Sequence, residues 1–294
     1  SGLIGTALTR ALLERGNTVR HLSRSANHTN GSVRSFAWSV GQRKLDPTAL
    51  DGVDHIVHLA GAGIADARWS AERVKVLIES RATSSLLLLQ QANQAGVAPK
   101  SFVSAAGINY YGAVTSDTIF QETAPAGTDT IGRISKEWET AVDAWTSVSR
   151  VVKLRTPVVL SAEGGALTKL ALPVRFGLGS ALGSGYQWMP WVHVDDLVSI
   201  YQRALFDDGY NGAYNVNAPD HVTNDAFMRT LARVLKRPYF LPRVPGFALK
   251  LALGELSSIL LEGSRADNQR LLSTGFQFQY PGLEGALRAV LGKP

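Results

Sequence analysis

Gly2 and Gly5 stand three residues apart in Ser1-Gly2-Leu3-Ile4-Gly5, directly ahead of a helical pattern. This spacing matches the last two glycines of a G-x-x-G-x-x-G turn. Without side chains such a turn brings its N–H groups against a pyrophosphate, and the helix N-terminus adds its positive dipole end. A plain helix start explains the same residues, so the motif needs support from the rest of the chain. That support comes at the end of the next strand pattern, about 20 residues on, where NAD-binding folds place an acid on the ribose 2′-hydroxyl. Here the chain reads His21-Leu22-Ser23-Arg24, and no carboxylate occurs between Glu14 and Asp46. Arg20, Arg24, Arg34, Arg43 and Lys44 all fall in that interval. An acid would repel a ribose 2′-phosphate and a guanidinium fork can clamp it, so Ser23 and Arg24 favour NADP over NAD. The plainer reading of Arg24 is a solvated loop arginine. His58-Leu59-Ala60-Gly61 closes a further apolar run, at the kind of strand end where ligands collect in an open α/β sheet.

Other groupings carry less chemistry. His193 with Asp195 and Asp196 could hold a metal or exchange protons, but Asp195 before Asp196-Leu197-Val198 reads more simply as a helix cap. His21, His28, His55, His58 and His221 show no i, i+4 ligand pairing. The chain has no cysteine, which excludes disulfides, thiolate zinc sites and a cysteine nucleophile. Trp188, Met189 and Trp191 could stack on a planar or sugar ligand, or pack a second lobe onto the sheet.

The elements that would position these residues alternate between apolar runs and helical periodicity, the βαβα pattern of a parallel sheet with helices on both faces. Strands are expected at 18–22, 35–38, 55–59, 101–105 and 151–154, and helices at 4–15, 71–95, 135–145, 194–206, 224–235, 246–261 and 283–290. Two short strands, 213–216 and 239–241, are assigned to a second lobe. The predicted organisation is a doubly wound Rossmann-type core over 1–160 and a smaller, mostly substrate-side lobe over 161–294, with short segments returning to the core. A chain of 294 residues with 45% hydrophobic content can bury such a core. The longest apolar stretches are 86–89, which is short, and 245–261, which Lys250 and Glu255 interrupt, so neither reads as a membrane span. With no signal peptide at its start, the chain is expected to be cytoplasmic. The net charge of +6 is scattered, without the basic run that marks nucleic-acid binding. The expected partner is a small-molecule substrate, with no nucleic acid and no membrane; the sequence does not indicate an oligomeric state.

Gly2-Leu3-Ile4-Gly5, Leu22-Ser23-Arg24, Leu59-Ala60-Gly61, Tyr110-Tyr111-Gly112, Leu154-Arg155-Thr156 and Trp191-Val192-His193-Val194-Asp195-Asp196-Leu197 stand in register with one family. The chain resembles the extended short-chain dehydrogenases, and within them the NAD-dependent epimerase/dehydratase proteins of the sugar nucleotide epimerase-like subgroup. The resemblance spans nearly the whole chain. It implies a first strand and first motif glycine ahead of Ser1. It also implies that Arg81 reaches a cofactor or substrate phosphate and that Val159 lies along the nicotinamide half.

Such enzymes generally use a Ser or Thr, a Tyr, and a Lys four residues after the Tyr; the Lys lowers the phenol's pKa and holds the ribose. The family frame, placed by Glu139, puts Ile131 at the tyrosine and Ser135 at the lysine, and neither can do that chemistry. The hydroxyl position falls on Ala106, with Ser104 two residues earlier. Tyr110 and Tyr111 are the replacement candidates, with Lys136 one residue beyond the usual lysine; pocket wall and helix-surface charge are their plainer readings. Two functions follow: an NADP(H)-dependent oxidoreductase or epimerase acting on a small polar metabolite with an atypical proton donor, or a non-catalytic NADP(H)-binding sensor or assembly partner.

Overall fold

The computed structural model describes residues 2–24, 28–30 and 33–292. Four strands run parallel in the order Gly212–Asn215, Arg150–Thr156, Ser101–Gly107, His55–His58. A second group pairs Val19–Ser23 parallel to Val33–Ser39, with His28–Asn30 antiparallel on the latter's other side. Among the described residues, Val19–Ser23 and His55–His58 each pair on one side only.

Side chains alternate across a strand, and that alternation builds the two layers. Phe102 and Val151 point into a cluster with Ile56, Leu88, Trp138 and Trp145, where Phe102 stacks on Trp145 at 4.1 Å between ring centroids. Their neighbours Val103 and Val152 point the other way, against Ala7, Leu8, Leu197 and Tyr201. The first cluster is roofed by helices α3 (Ala82–Gln94) and α4 (Thr130–Asp143), the second by α1 (Leu3–Glu14) and α6 (Val194–Phe206). Helices α5 (Ala166–Arg175) and α7 (Asn224–Val234) build a third cluster around Trp191 and Phe227. Among the described residues no helix is long and apolar enough to cross a membrane.

Three expectations change. The predicted helix over 71–95 is two helices, α2 (Ala71–Glu79) and α3, because Ser80 and Arg81 turn inward to hold the 61–63 loop. The stretch 246–261 breaks at Gly254, whose φ of 61° ends α8 (Gly246–Leu253) and gives way to short turns at Gly254–Ser257 and Ser258–Leu261. Gly212–Asn215 belongs to the main sheet, in register with Arg150–Thr156, and 239–241 forms no strand. Short strands of this kind carry no signal of which sheet they join, since that depends on a distant partner.

Candidate functional site

In parallel strands all carboxyl ends share one edge of the sheet, and the candidate residues gather along it. Gly2 caps α1 without a side-chain bond, and no acid occupies the helix's first turn. The N–H groups there are unclaimed by any cap and carry the positive end of the helix dipole. Leu3 reaches across to the loop that follows Val159: a Cβ added to Gly165 would lie 3.3 Å from the Leu3 Cδ1 and 4.0 Å from the Val159 carbonyl. Leu3, at the start of α1, thus lies near the loop that follows Val159.

Ser23 and Arg24 end the Val19–Ser23 strand, with Arg24 exposed. The other three arginines named in the acid-free interval are engaged elsewhere. Arg20 donates to the Thr48 and Ala49 carbonyls at 3.2 Å, Arg43 donates to Gln90 at 2.8 Å, and Arg34 lies over the Phe36 ring at 4.5 Å. Arg24 is therefore the guanidinium best placed for a ligand at that strand end.

Leu59, Ala60 and Gly61 follow the His55–His58 strand, and Arg81 lies beneath them. A Cβ on Gly61 would come within 3.1 Å of the Arg81 Cζ. The guanidinium donates to the Ala62 and Leu77 carbonyls at 2.8 and 2.9 Å and covers Trp138 at 5.0 Å. Its Nε is buried without a partner, and among the described residues no carboxylate pairs with it. Burial, and then Arg73, pull its pKa down to about 10. A buried cation lacking an acid is costly, and a bound anion would relieve that cost.

His58 is buried next to this loop. Ser84 gives its proton to a backbone carbonyl of Ser80 or Arg81, so at 2.8 Å it accepts from His58 Nε2. Nε2 therefore carries a proton. Burial, with Arg81 adding to it, lowers its pKa to about 4. The unfolded chain takes up the proton near pH 6.5 and the folded chain only near 4, so stability is complete above 6.5 and declines as pH falls through that window. Urea unfolding should show a loss of about 2 kcal/mol between pH 7 and pH 5. A flat or rising profile would contradict this assignment.

The hydroxyl candidates fare differently from one another. Ser104 is fully buried, with its Oγ donating to the Ala105 carbonyl at 2.8 Å and lying 3.5 Å from His58 Nδ1. Tyr111 is 2% exposed; its hydroxyl donates to Asn215 Oδ1 at 2.7 Å and accepts from Arg155 Nη1 at 2.9 Å. Burial raises its pKa to about 12 against the opposing pull of Arg155. In this geometry neither hydroxyl is open to a ligand. Tyr110 is half-buried, with its ring 3.6 Å from the Arg155 Cζ and no hydrogen-bond partner on its hydroxyl among the described residues. Its loop is held tightly: a Cβ on Gly127 would meet the Gly112 Cα at 2.6 Å, and one on Gly132 would overlap the Gly127 carbonyl. Asp129 caps α4 through Gly132 N at 2.8 Å and also accepts from Ala113 N at 2.7 Å. On α4, Ile131 and Ser135 are buried, with Ser135 Oγ 3.6 Å from a Cβ built on Gly107, while Lys136 is exposed.

The sequence reading missed the network behind the tyrosines. Arg155 and Glu139 form a two-pronged buried ion pair, Nε to Oε1 at 2.7 Å and Nη2 to Oε2 at 3.0 Å. Burial opposes the Arg155 charge, but Glu139 outweighs it and holds the pKa above its ordinary value. Asn215 extends the network to the Phe120 and Asp267 carbonyls. The available signal was a charged residue inside an apolar strand, Arg155 in Arg150–Thr156.

His193, rather than Asp195, caps α6: its Nδ1 accepts from Asp195 N at 3.1 Å. Asp196 accepts from the Gln279 and Tyr280 N–H groups at 2.7 and 3.1 Å and so ties the C-terminal segment to this joint. Among the described residues no three His, Asp or Glu converge as a metal site. Trp188 donates to the Ser116 carbonyl at 2.8 Å and lies under Arg265 at 4.7 Å, so it is held by side-chain packing and a main-chain bond.

A doubly wound sheet with an uncapped glycine-led helix and small-residue loops at its carboxyl edge defines a nucleotide-binding Rossmann protein, and the chain belongs to the NAD dependent epimerase/dehydratase family, whose model it matches over residues 1–217. Residues 244–290 match a "Domain of unknown function (DUF1731)". Within the family it is similar to "Epimerase family protein SDR39U1 homolog, chloroplastic" of Arabidopsis thaliana, 37% identical over 99% of this chain and 84% of that one. It is likewise similar to epimerase family protein Mb2239 of Mycobacterium bovis, 37% identical over 100% of this chain and 96% of that one. Among solved structures, human epimerase family protein SDR39U1 (isoform 2), crystallised with NADPH, superposes with a TM-score of 0.88 at 32% identity, covering 100% of this chain and 97% of that one.

Proposed function

We propose that the chain binds NADP(H) along the carboxyl edge of its sheet and acts as an oxidoreductase or epimerase-like enzyme on a small polar metabolite. The observation that carries this reading is the pairing of an uncapped α1 N-terminus with Arg24 at the end of a strand in an acid-free interval. The human relative crystallised with NADPH supports the same cofactor. The residues fit the group. Gly2, Leu3, Ile4 and Gly5 offer backbone N–H groups to the pyrophosphate, Ser23 and Arg24 meet the 2′-phosphate, Leu59, Ala60 and Gly61 face the dinucleotide, and Val159 lies along the nicotinamide half. Arg81, buried without an acid, holds the 61–63 loop and offers the site its positive charge. When bound, NADPH supplies the hydride.

Of the hydroxyl candidates Ser104, Tyr110 and Tyr111, the geometry favours Tyr110 for moving the proton, because the other two are committed internally. Tyr110→Phe should lower NADPH-dependent turnover about 100-fold while leaving cofactor affinity intact, as read by NADPH consumption against a metabolite panel. Turnover unchanged in the variant would remove Tyr110 from that role. The second reading, a non-catalytic NADP(H) sensor, is favoured by the burial of Ile131 and Ser135 at the family's tyrosine and lysine positions. Tight NADPH binding with no consumption on any substrate would select it.

A further inference from the structure

Residues 236–251 contain four cations, Lys236, Arg237, Arg243 and Lys250, and no carboxylate. Among them Phe240, Phe247 and Leu251 are 76, 75 and 79% exposed. Phe247 and Leu251 stand i, i+4 on α8 and share one helix face. A surface helix ordinarily buries its apolar stripe, yet none of the residues of α8 is buried. Nor is this patch isolated. The loop carrying Phe176, Leu178 and Tyr186, each at least 60% exposed, is joined to it at three points. A Cβ on Gly177 would lie 3.7 Å from Pro238, Leu182 and Val244 form a main-chain bridge, and Arg243 covers the Tyr186 ring at 4.8 Å. Single exposed apolar residues are ordinary, whereas a joined set marks a contact surface.

The charge selects what that surface meets. An isologous contact with a second copy would set these cations against their own images, while an anionic surface complements them. The nearby acids offset only part of this charge. Asp225 is bonded to Arg229 at 3.1 Å and to Tyr239 at 3.0 Å, and Glu255 and Glu262 share with Lys250 the lining of the cleft of about 680 Å³ beside α8, which leaves Lys236, Arg237 and Arg243 in excess. We propose that this face docks the protein peripherally on an anionic lipid bilayer, Phe240, Phe247 and Leu251 reaching the acyl boundary and the cations meeting headgroup phosphates. Exposed aromatic and leucine side chains interleaved with lysine and arginine suit that interface.

Sedimentation of the full chain with vesicles tests this, using phosphatidylcholine alone and phosphatidylcholine with roughly 30% phosphatidylglycerol. The protein should pellet with the mixed vesicles, stay in solution with the neutral ones, and be released by added salt. Arg237→Gln with Lys250→Gln should weaken partitioning about 25-fold, roughly five-fold per cation. Phe247→Glu with Leu251→Glu should abolish it. Both double variants should keep the parent's thermal midpoint, because these side chains face solvent. The proposal is overturned if the parent stays in solution with both vesicles, or pellets equally with both. It is also overturned if light scattering reveals a dimer that Phe247→Glu dissociates, which would assign the face to a second copy.

Discussion

Arg24→Asp should weaken NADPH binding by two to three orders of magnitude and leave NADH binding unchanged or improved. The substitution removes charge-assisted bonds to a 2′-phosphate and puts a like charge in their place, while an acid at this strand end accepts the ribose hydroxyls of NADH. Because Arg20, Arg34 and Arg43 are each turned to other partners, they are poor substitutes for Arg24. Titration calorimetry with both nucleotides reads the result directly. A change of less than about three-fold in the NADPH-to-NADH ratio would mean that the 2′-phosphate is held elsewhere.

The second large effect is on stability. Glu139→Ala should cost about 3–5 kcal/mol, because it strands the buried Arg155 guanidinium with only neutral partners, the Tyr111 hydroxyl and the Glu122 carbonyl. Removing both charges should do less harm: Glu139→Met with Arg155→Met is expected to unfold at higher urea than Glu139→Ala alone. If the single variant lost under about 1 kcal/mol, the pair would be behaving as a solvated surface bridge. The order of the two variants separates a buried ion pair from simple loss of packing.

The parts of this protein legible in its sequence are those set by local periodicity. The strand at 101–105 and the helix at 194–206 follow from side-chain alternation and 3.6-residue spacing, and the structure places Ser101–Gly107 and Val194–Phe206 there. Gly2, Gly5 and Arg24 could be put forward as cofactor residues because a glycine turn and a missing acid are visible in one stretch of chain. The network behind Tyr111 was not, since its bonds join residues 16, 44 and 104 positions apart. Nor was the break at Ser80-Arg81, where helical periodicity continues on both sides and only the distant 61–63 loop pulls the chain inward. His193 as a cap was missed for a different reason: it caps with a ring nitrogen, outside the usual serine, threonine, asparagine and aspartate signature.

The glycine contacts at 112, 127 and 132 leave three stretches of main chain touching with no side chain between them. A seam of bare backbone has no rotamers through which to give way. The Tyr110 ring, seated on Arg155 and anchored through that seam to the start of α4, is a stationary post whose place is fixed by main chain alone.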